Sequence, residues 1–217
     1  MKLLDLLVDL IFPPKCTFCH KIVKDGTVLI CEDCEKNMPN TRDFGRQKIE
    51  FVSQCVAPLY YEDNVRESLR RYKFEGCSGY ARAYAPMVAD CIRQTILDQF
   101  DVLSWIPVSR QRLRKRGYDQ AELLAKAVAE ELGLTAEPVL RKKRNTPPQS
   151  QTGSAEKRRA NIAGAYVVLK PERVKGKRIL LLDDIVTTGS TVRECAKALG
   201  LAGAEEVLCA AVARKRE

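Results

Sequence analysis

No GxxxxGK[ST] segment occurs in the 217 residues, which excludes the nucleoside triphosphatases that cradle phosphates in such a loop. No stretch approaches the roughly 20 apolar residues of a membrane-spanning helix, so no span is expected. The opening MKLLDLLVDLIFPPKC is not a secretory signal either, because Asp5 and Asp9 interrupt its apolar run and no small-residue cleavage site follows. It reads as a short amphipathic helix stopped before Pro13, and the chain reads as cytoplasmic. Histidine is nearly missing, His20 being the sole one, and aromatic residues are only 6% of the chain.

Net charge is missing from the first hundred residues. Residues 1 to 100 carry 14 basic and 14 acidic side chains, so the net +9 arises entirely beyond them. A basic surface confined to the later residues suits phosphate-bearing partners, either nucleic acid or a phosphorylated small molecule.

Cysteine is plentiful by contrast. Nine cysteines form an odd set, which in a chain with no export signal favours metal or free thiols over a disulfide framework. Cys16 and Cys19 in CTFC, then Cys31 and Cys34 in CEDC, make two CxxC knuckles with eleven residues between them. Each knuckle aims two thiolates of one tight turn at a common centre, and two such turns complete a closed tetrahedral zinc shell of structural type. His20 follows Cys19 directly, but four cysteines suffice and it is read as a bystander. Cys55, Cys77, Cys91, Cys195 and Cys209 lie in apolar segments, where a free cysteine behaves as a small buried hydrophobe.

After the knuckles, strand-like and helix-like patterns alternate. Strands are expected at 54–61, 101–108, 164–169, 178–183 and 206–213, and helices at 64–73, 79–98, 119–133 and 191–200. Such alternation implies βαβ units and a parallel sheet covered on both faces. The polar segment 141–160 has no periodicity and reads as a loop. A division into a helix and zinc-knuckle module over residues 1–50 and an α/β domain over 51–217 follows.

The segment ILLLDDIVTTGST, residues 179 to 191, combines a buried strand, two aspartates and a hydroxyl-rich turn. Ligands of open parallel sheets sit beyond the carboxyl ends of the strands, where Asp183 and Asp184 fall. Thr187, Thr188, Ser190 and Thr191 surround Gly189, whose access to positive φ lets successive N–H groups curl around an anion. A helix starting near Thr191 adds its dipole. The aspartates repel phosphate, so sugar hydroxyls or a divalent cation are their natural partners. A plainer reading has the aspartates capping the next helix and Gly189 making a turn.

These thirteen residues resemble the phosphoribosyl-diphosphate (PRPP) signature of type I phosphoribosyltransferases. The N-terminal cysteine knuckles, IPVSRQRLRKRGYDQAELLA, TPPQ, EKRRANIAGAY and the signature occur in an order similar to that of the ComF family, over nearly the whole chain. The resemblance implies a type I phosphoribosyltransferase-like α/β fold, PRPP bound with magnesium at Asp183, Asp184, Thr187, Thr188, Gly189, Ser190 and Thr191, and a role in natural competence. Partners it implies are single-stranded DNA and a competence helicase or other DNA-processing proteins. Turnover stays open, the alternative being an active phosphoribosyltransferase of nucleotide metabolism, and no general base is nominated. Asp119 stands where the family more often has asparagine.

Arg110, Arg112, Arg114, Lys115 and Arg116 put five cations into seven residues after the strand ending at Val108. By the resemblance this is the pyrophosphate loop, in which Arg112, Arg114, Lys115 and Arg116 would hold diphosphate; the same guanidinium groups suit a DNA backbone. Tyr118 beside them is expected to be half-buried rather than a stacking platform. The segment carrying Arg144, Gln149 and Arg158 corresponds, again by resemblance, to a flexible loop that closes over PRPP and excludes water.

Overall fold

The computed structural model describes residues 13–24, 26–143 and 164–216. The expected N-terminal helix, and Arg144, Gln149 and Arg158 of the expected closing loop, lie outside these residues.

One sheet dominates. Strands β2 (Val52–Val56), β3 (Leu59–Tyr60), β4 (Val102–Trp105), β7 (Arg178–Val186) and β8 (Glu206–Arg214) are mutually parallel where they pair, in the order β2-β8-β7-β4, with β3 also on β8. β1 (Gln47–Ile49) lies antiparallel along the β2 edge. The strand expected at 54–61 is thus two strands. Pro58 between them has no N–H for the ladder, while Ala57 N and both carbonyls of this link bond Phe44 and Thr41 instead.

The aliphatic run of β7 divides between two cores, as the period of a strand requires. Leu180 and Leu182 pack with Leu208 and Ala210 of β8 beneath α2 (Asp63–Phe74), α3 (Ala81–Thr95) and α5 (Gln120–Leu132). Ile179 and Leu181 face the other way with Val207, Cys209 and Ala211, under α6 (Ser190–Leu201) and a hairpin of β5 (Leu140–Lys142) with β6 (Tyr166–Val168). The α/β architecture is as the alternation implied, with further departures in detail. Helix 79–98 is interrupted at Ile96 and ends as a 3-10 turn, Leu97–Gln99. β7 does not stop at the aspartates but carries them inside the strand, to Val186. Arg141 and Lys142, expected in a loop, belong to the β5 strand.

Asp119 has a structural task. Its carboxylate accepts from Ala121 N at 3.0 Å and Glu122 N at 3.3 Å, capping α5, and from Val108 N at 2.8 Å, tying the helix to the segment leaving β4. Gly133 closes the same helix in the left-handed conformation.

Candidate functional site

The cysteine knuckles, the second of which runs into the short helix α1 (Glu32–Lys36), pack onto α2. The Sγ atoms of Cys16, Cys19, Cys31 and Cys34 all lie within 4.8 Å of one another. A tetrahedral zinc with bonds of about 2.3 Å needs sulfurs about 3.8 Å apart, and Cys19 and Cys31 stand at 3.6 Å, so the four thiols fit the ion. Burial works against the Cys16 thiolate, but the backbone N–H groups of Cys31, Cys19 and Phe18 outweigh it and bring the thiol down to about 7. His20 is exposed, sits at a φ of 65° and is no part of this cluster. Of the remaining cysteines, Cys55, Cys91, Cys195 and Cys209 are buried as expected, whereas Cys77 is only half-buried, at the turn between α2 and α3.

The signature leaves β7 through an open turn. Gly189 takes φ 67° and is the N-cap of α6, a position at which it has no side chain to act as a cap. Thr188 Oγ1 and Ser190 Oγ lie 2.8 Å apart beside it. Thr187 and Thr191 are half-buried, and Ser190 is buried. β1 closes the turn from outside, through Ile49 against Gly189 and Gln47 Nε2, which donates to Thr187 O at 3.4 Å. The turn therefore brings helix-start N–H groups and hydroxyls together, a combination that suits an anion.

The two aspartates part company. Asp184 is buried on the α2 side, where Lys73 Nζ lies 2.7 Å from its Oδ2, an oxygen that no other donor reaches among the described residues. Asp183 is half-buried and points to the opposite face, near Lys142, Tyr166 and Cys195. Burial, together with the charge of Asp184, holds the Asp183 carboxyl well above the usual carboxylate range. Adjacent residues of a strand face opposite ways, so the two carboxylates have different surroundings, Asp183 the more exposed and Asp184 the one held by Lys73.

The basic cluster is α4 (Arg110–Arg116), a helix rather than the expected loop, capped by Ser109 and stopped by Gly117 in the left-handed conformation. Its helical turn divides the cations. Arg114 and Lys115 are exposed, while Arg112 and Arg116 are half-buried on one face. Arg116 donates to Gln120 Oε1 at 2.6 Å and stacks over Phe74. Tyr118 is half-buried, its hydroxyl donating to Tyr72 O.

One cation missed in the sequence lies closer to the signature. Lys142 of β5 is 8% exposed, rests on the Tyr166 ring at 5.0 Å and floors a cleft of about 320 Å³. The cleft is lined by Ser109, Arg110, Gln111, Arg141, Lys142 and Lys143, with no carboxylate among them. Burial, reinforced by Arg112, lowers the Lys142 ammonium to about 8.

Residues 119–217 match the phosphoribosyl transferase domain family, and residues 7–45 match the double zinc ribbon domain family. Competence protein ComFC of Bacillus subtilis is 28% identical over 170 residues, covering 78% of this chain and 65% of its own length. Competence protein F of Haemophilus influenzae is 25% identical over 222 residues, covering 92% of this chain and 96% of its own. The chain is a homologue of the ComF competence proteins.

DNA utilization protein YhgH of Salmonella typhimurium is a further relative of this ComF homologue, at 29% identity over 88% of the chain and 86% of YhgH. The chain spans just under two thirds of the Bacillus relative's length, and most of the others'. Among solved structures, adenine phosphoribosyltransferase from Thermoanaerobacter pseudethanolicus aligns at 18% identity and a TM-score of 0.38, over 82% of this chain and 84% of that one. The chain carries a four-cysteine cluster within its double zinc ribbon match, followed by its phosphoribosyl transferase domain match. No helix of its described residues is long and apolar enough to cross a membrane.

Proposed function

We propose that this ComF homologue binds PRPP with magnesium and works in natural competence, in the uptake or processing of single-stranded DNA. The observation that supports the reading is the Gly189 turn at the start of α6, six residues after Asp183, together with an acid-free basic cleft whose Lys142 lies near Asp183. In this arrangement the 5-phosphate sits on the N–H groups and hydroxyls of Thr187, Thr188, Gly189, Ser190 and Thr191. The ribose hydroxyls meet Asp183, and the diphosphate lies toward Arg112 and Lys142. A divalent cation would neutralise diphosphate charge beside Asp183. The half-buried Arg112 suits a small buried anion, whereas exposed Arg114 and Lys115 suit a DNA backbone. Arg144, Gln149 and Arg158 belong to this proposal as closing-loop residues, and so does a boundary near residue 50 between zinc module and transferase domain. A cytoplasmic site of action and a helicase or other DNA-processing partner fit the competence relatives.

Turnover is the second reading, favoured by the same cleft. Diphosphate held by fixed cations is a stabilised leaving group, and a nucleophile could then replace it at the anomeric carbon. Calorimetry of the full chain with PRPP and magnesium tests the binding claim, with Asp183→Asn as the control. Wild-type binding that the variant weakens is expected; no heat and no thermal protection by PRPP in the wild type would overturn it. A screen for pyrophosphate release across nucleobases, ammonia donors and DNA tests turnover.

A further inference from the structure

Helix α2 touches two places that the sequence holds far apart. At one end of the relationship are Thr17 and Phe18, the two residues between Cys16 and Cys19. Ser68 Oγ donates to Thr17 O at 2.7 Å, and the Arg71 guanidinium donates to Thr17 O at 3.1 Å and to Phe18 O at 2.6 Å. Both side chains are buried, Ser68 completely, and Ser68 also shares a hydrogen bond of 2.6 Å with the buried Tyr84 hydroxyl. A buried guanidinium that donates to two carbonyls holds them in place, because losing either bond would leave a buried donor unmatched. The carbonyls of the first knuckle are therefore fastened to α2, while its sulfurs join the four-thiol cluster.

Two residues further along the same helix, Lys73 reaches the other way, to the buried carboxylate of Asp184 at 2.7 Å. Between the two, Tyr72 donates to Gln120 O at 2.6 Å and so fixes the rotation of the helix against the start of α5. Asp184 is 3% exposed at its side chain, and Lys73 is 22% exposed. Among the described residues Lys73 is the ion-pair partner of this buried carboxylate, and removing it leaves an uncompensated charge beside Asp183.

We propose that Lys73 is the positioning residue of the sugar pocket, fixing Asp184 and through it the Asp183 carboxylate, and that α2 makes its placement depend on the zinc-loaded knuckle. This rests on the PRPP reading for what the pocket holds, but the mechanical link from knuckle to aspartates does not. When the metal leaves, the Cys16–Cys19 turn is free to relax, the Thr17 and Phe18 carbonyls shift, and Ser68 and Arg71 lose their fixed partners. Lys73 moves with the helix. The zinc ribbon then acts as a support of the signature in addition to being a folded module of its own.

The test compares zinc-loaded and chelator-treated full-length protein, as wild type, Lys73→Met, Lys73→Arg and Ser68→Ala. Two readouts are taken: amide hydrogen exchange of the segment 179–191, and calorimetric affinity for magnesium-PRPP and for inorganic pyrophosphate. In zinc-loaded protein, Lys73→Met should weaken PRPP about tenfold while Lys73→Arg restores most of it, as expected when a buried charge loses and regains its partner. Pyrophosphate, which has no ribose, should bind all of them alike. Chelation should speed exchange across 183–191 in the wild type and add little in Lys73→Met, where the link is already cut. Should Lys73→Met not fold, zinc-loaded Ser68→Ala must still speed exchange at 183–191. Exchange there that ignores zinc in the wild type, or Ser68→Ala with wild-type exchange, overturns the link. Wild-type PRPP affinity in Lys73→Met overturns the positioning role. A wild type that binds no PRPP sinks the ligand reading alone, and the exchange arm still decides the link.

Discussion

A Cβ placed on Gly189 would fall 2.8 Å from the side chain of Ile49, so the edge strand β1 occupies the space that any other residue of the signature turn would need. Gly189 is required twice over, by this approach and by its φ of 67°. Gly189→Ala should cost roughly 2 to 4 kcal/mol, combining a left-handed backbone penalty with overpacking, and should abolish PRPP binding. Urea denaturation measures the first effect and calorimetry the second. Ile49→Ala in the Gly189→Ala background should relieve the overpacking part while leaving the backbone part. A double variant no more stable than the single one would mean Ile49 is not the obstacle.

Lys142 makes anion binding depend on pH. Burial places its ammonium at about 8 in the folded protein, below the roughly 10.4 of an unfolded chain. It is thus charged at pH 7 and loses its proton as pH rises through about 8, so pyrophosphate and PRPP affinity should fall between pH 7 and 9. Lys142→Met should bind more weakly and lose that slope. The folded state binds fewer protons between these two values, so the group favours folding most above the unfolded value, and that favour is lost as pH falls through about 8. Lys142→Met should therefore gain most over the wild type, in urea midpoint, at pH 7 and least near pH 10. Parallel pH profiles for the two proteins would exclude Lys142 from the site.

The sheet and the four-cysteine cluster were legible in the sequence because each is written in local spacing. Leu180 and Leu182 against Ile179 and Leu181 announce a strand buried on both faces, and two CxxC knuckles announce a tetrahedral shell. The same two-residue period also implies that Asp183 and Asp184 face opposite ways, a consequence not drawn from the motif alone. What each aspartate meets was not legible: Lys73 comes from a distant helix, and nothing in RRYKFEG marks which cation turns inward. Lys142 was hidden differently. In the run RKKR a single alternation, buried Leu140 and Lys142 about exposed Arg141, is the mark of a strand, but it shows only once Tyr166–Val168 supplies the pairing partner.

Asp119 should matter for stability rather than for ligand affinity. Asp119→Ala removes the acceptor for three backbone N–H groups and should cost about 1 to 3 kcal/mol. Asp119→Asn keeps one acceptor oxygen for Ala121 and Glu122 and should lose less than the alanine variant, by the contact to Val108. Urea midpoints rank the three proteins. PRPP affinity should be unchanged in Asp119→Asn, and a marked loss there would return this residue to the ligand site.

The split of the α4 cations separates DNA from the small ligand. Arg114 and Lys115 are exposed, whereas Arg116 is engaged with Gln120 and Phe74. Replacing Arg114 and Lys115 together by glutamine should lower the log–log salt dependence of single-strand binding by about 1.4, since each phosphate contact contributes roughly 0.7. PRPP affinity should stay as in the wild type, because neither side chain lines the basic cleft. Arg116→Gln should instead lower stability by about 1 kcal/mol through its lost hydrogen bond and ring contact, with little change in salt slope. Fluorescence anisotropy of a labelled single strand over a salt series reads the slopes. An unchanged slope in the double variant would move the DNA path off α4, and a PRPP loss in the same variant would mean that diphosphate and DNA compete for one set of cations.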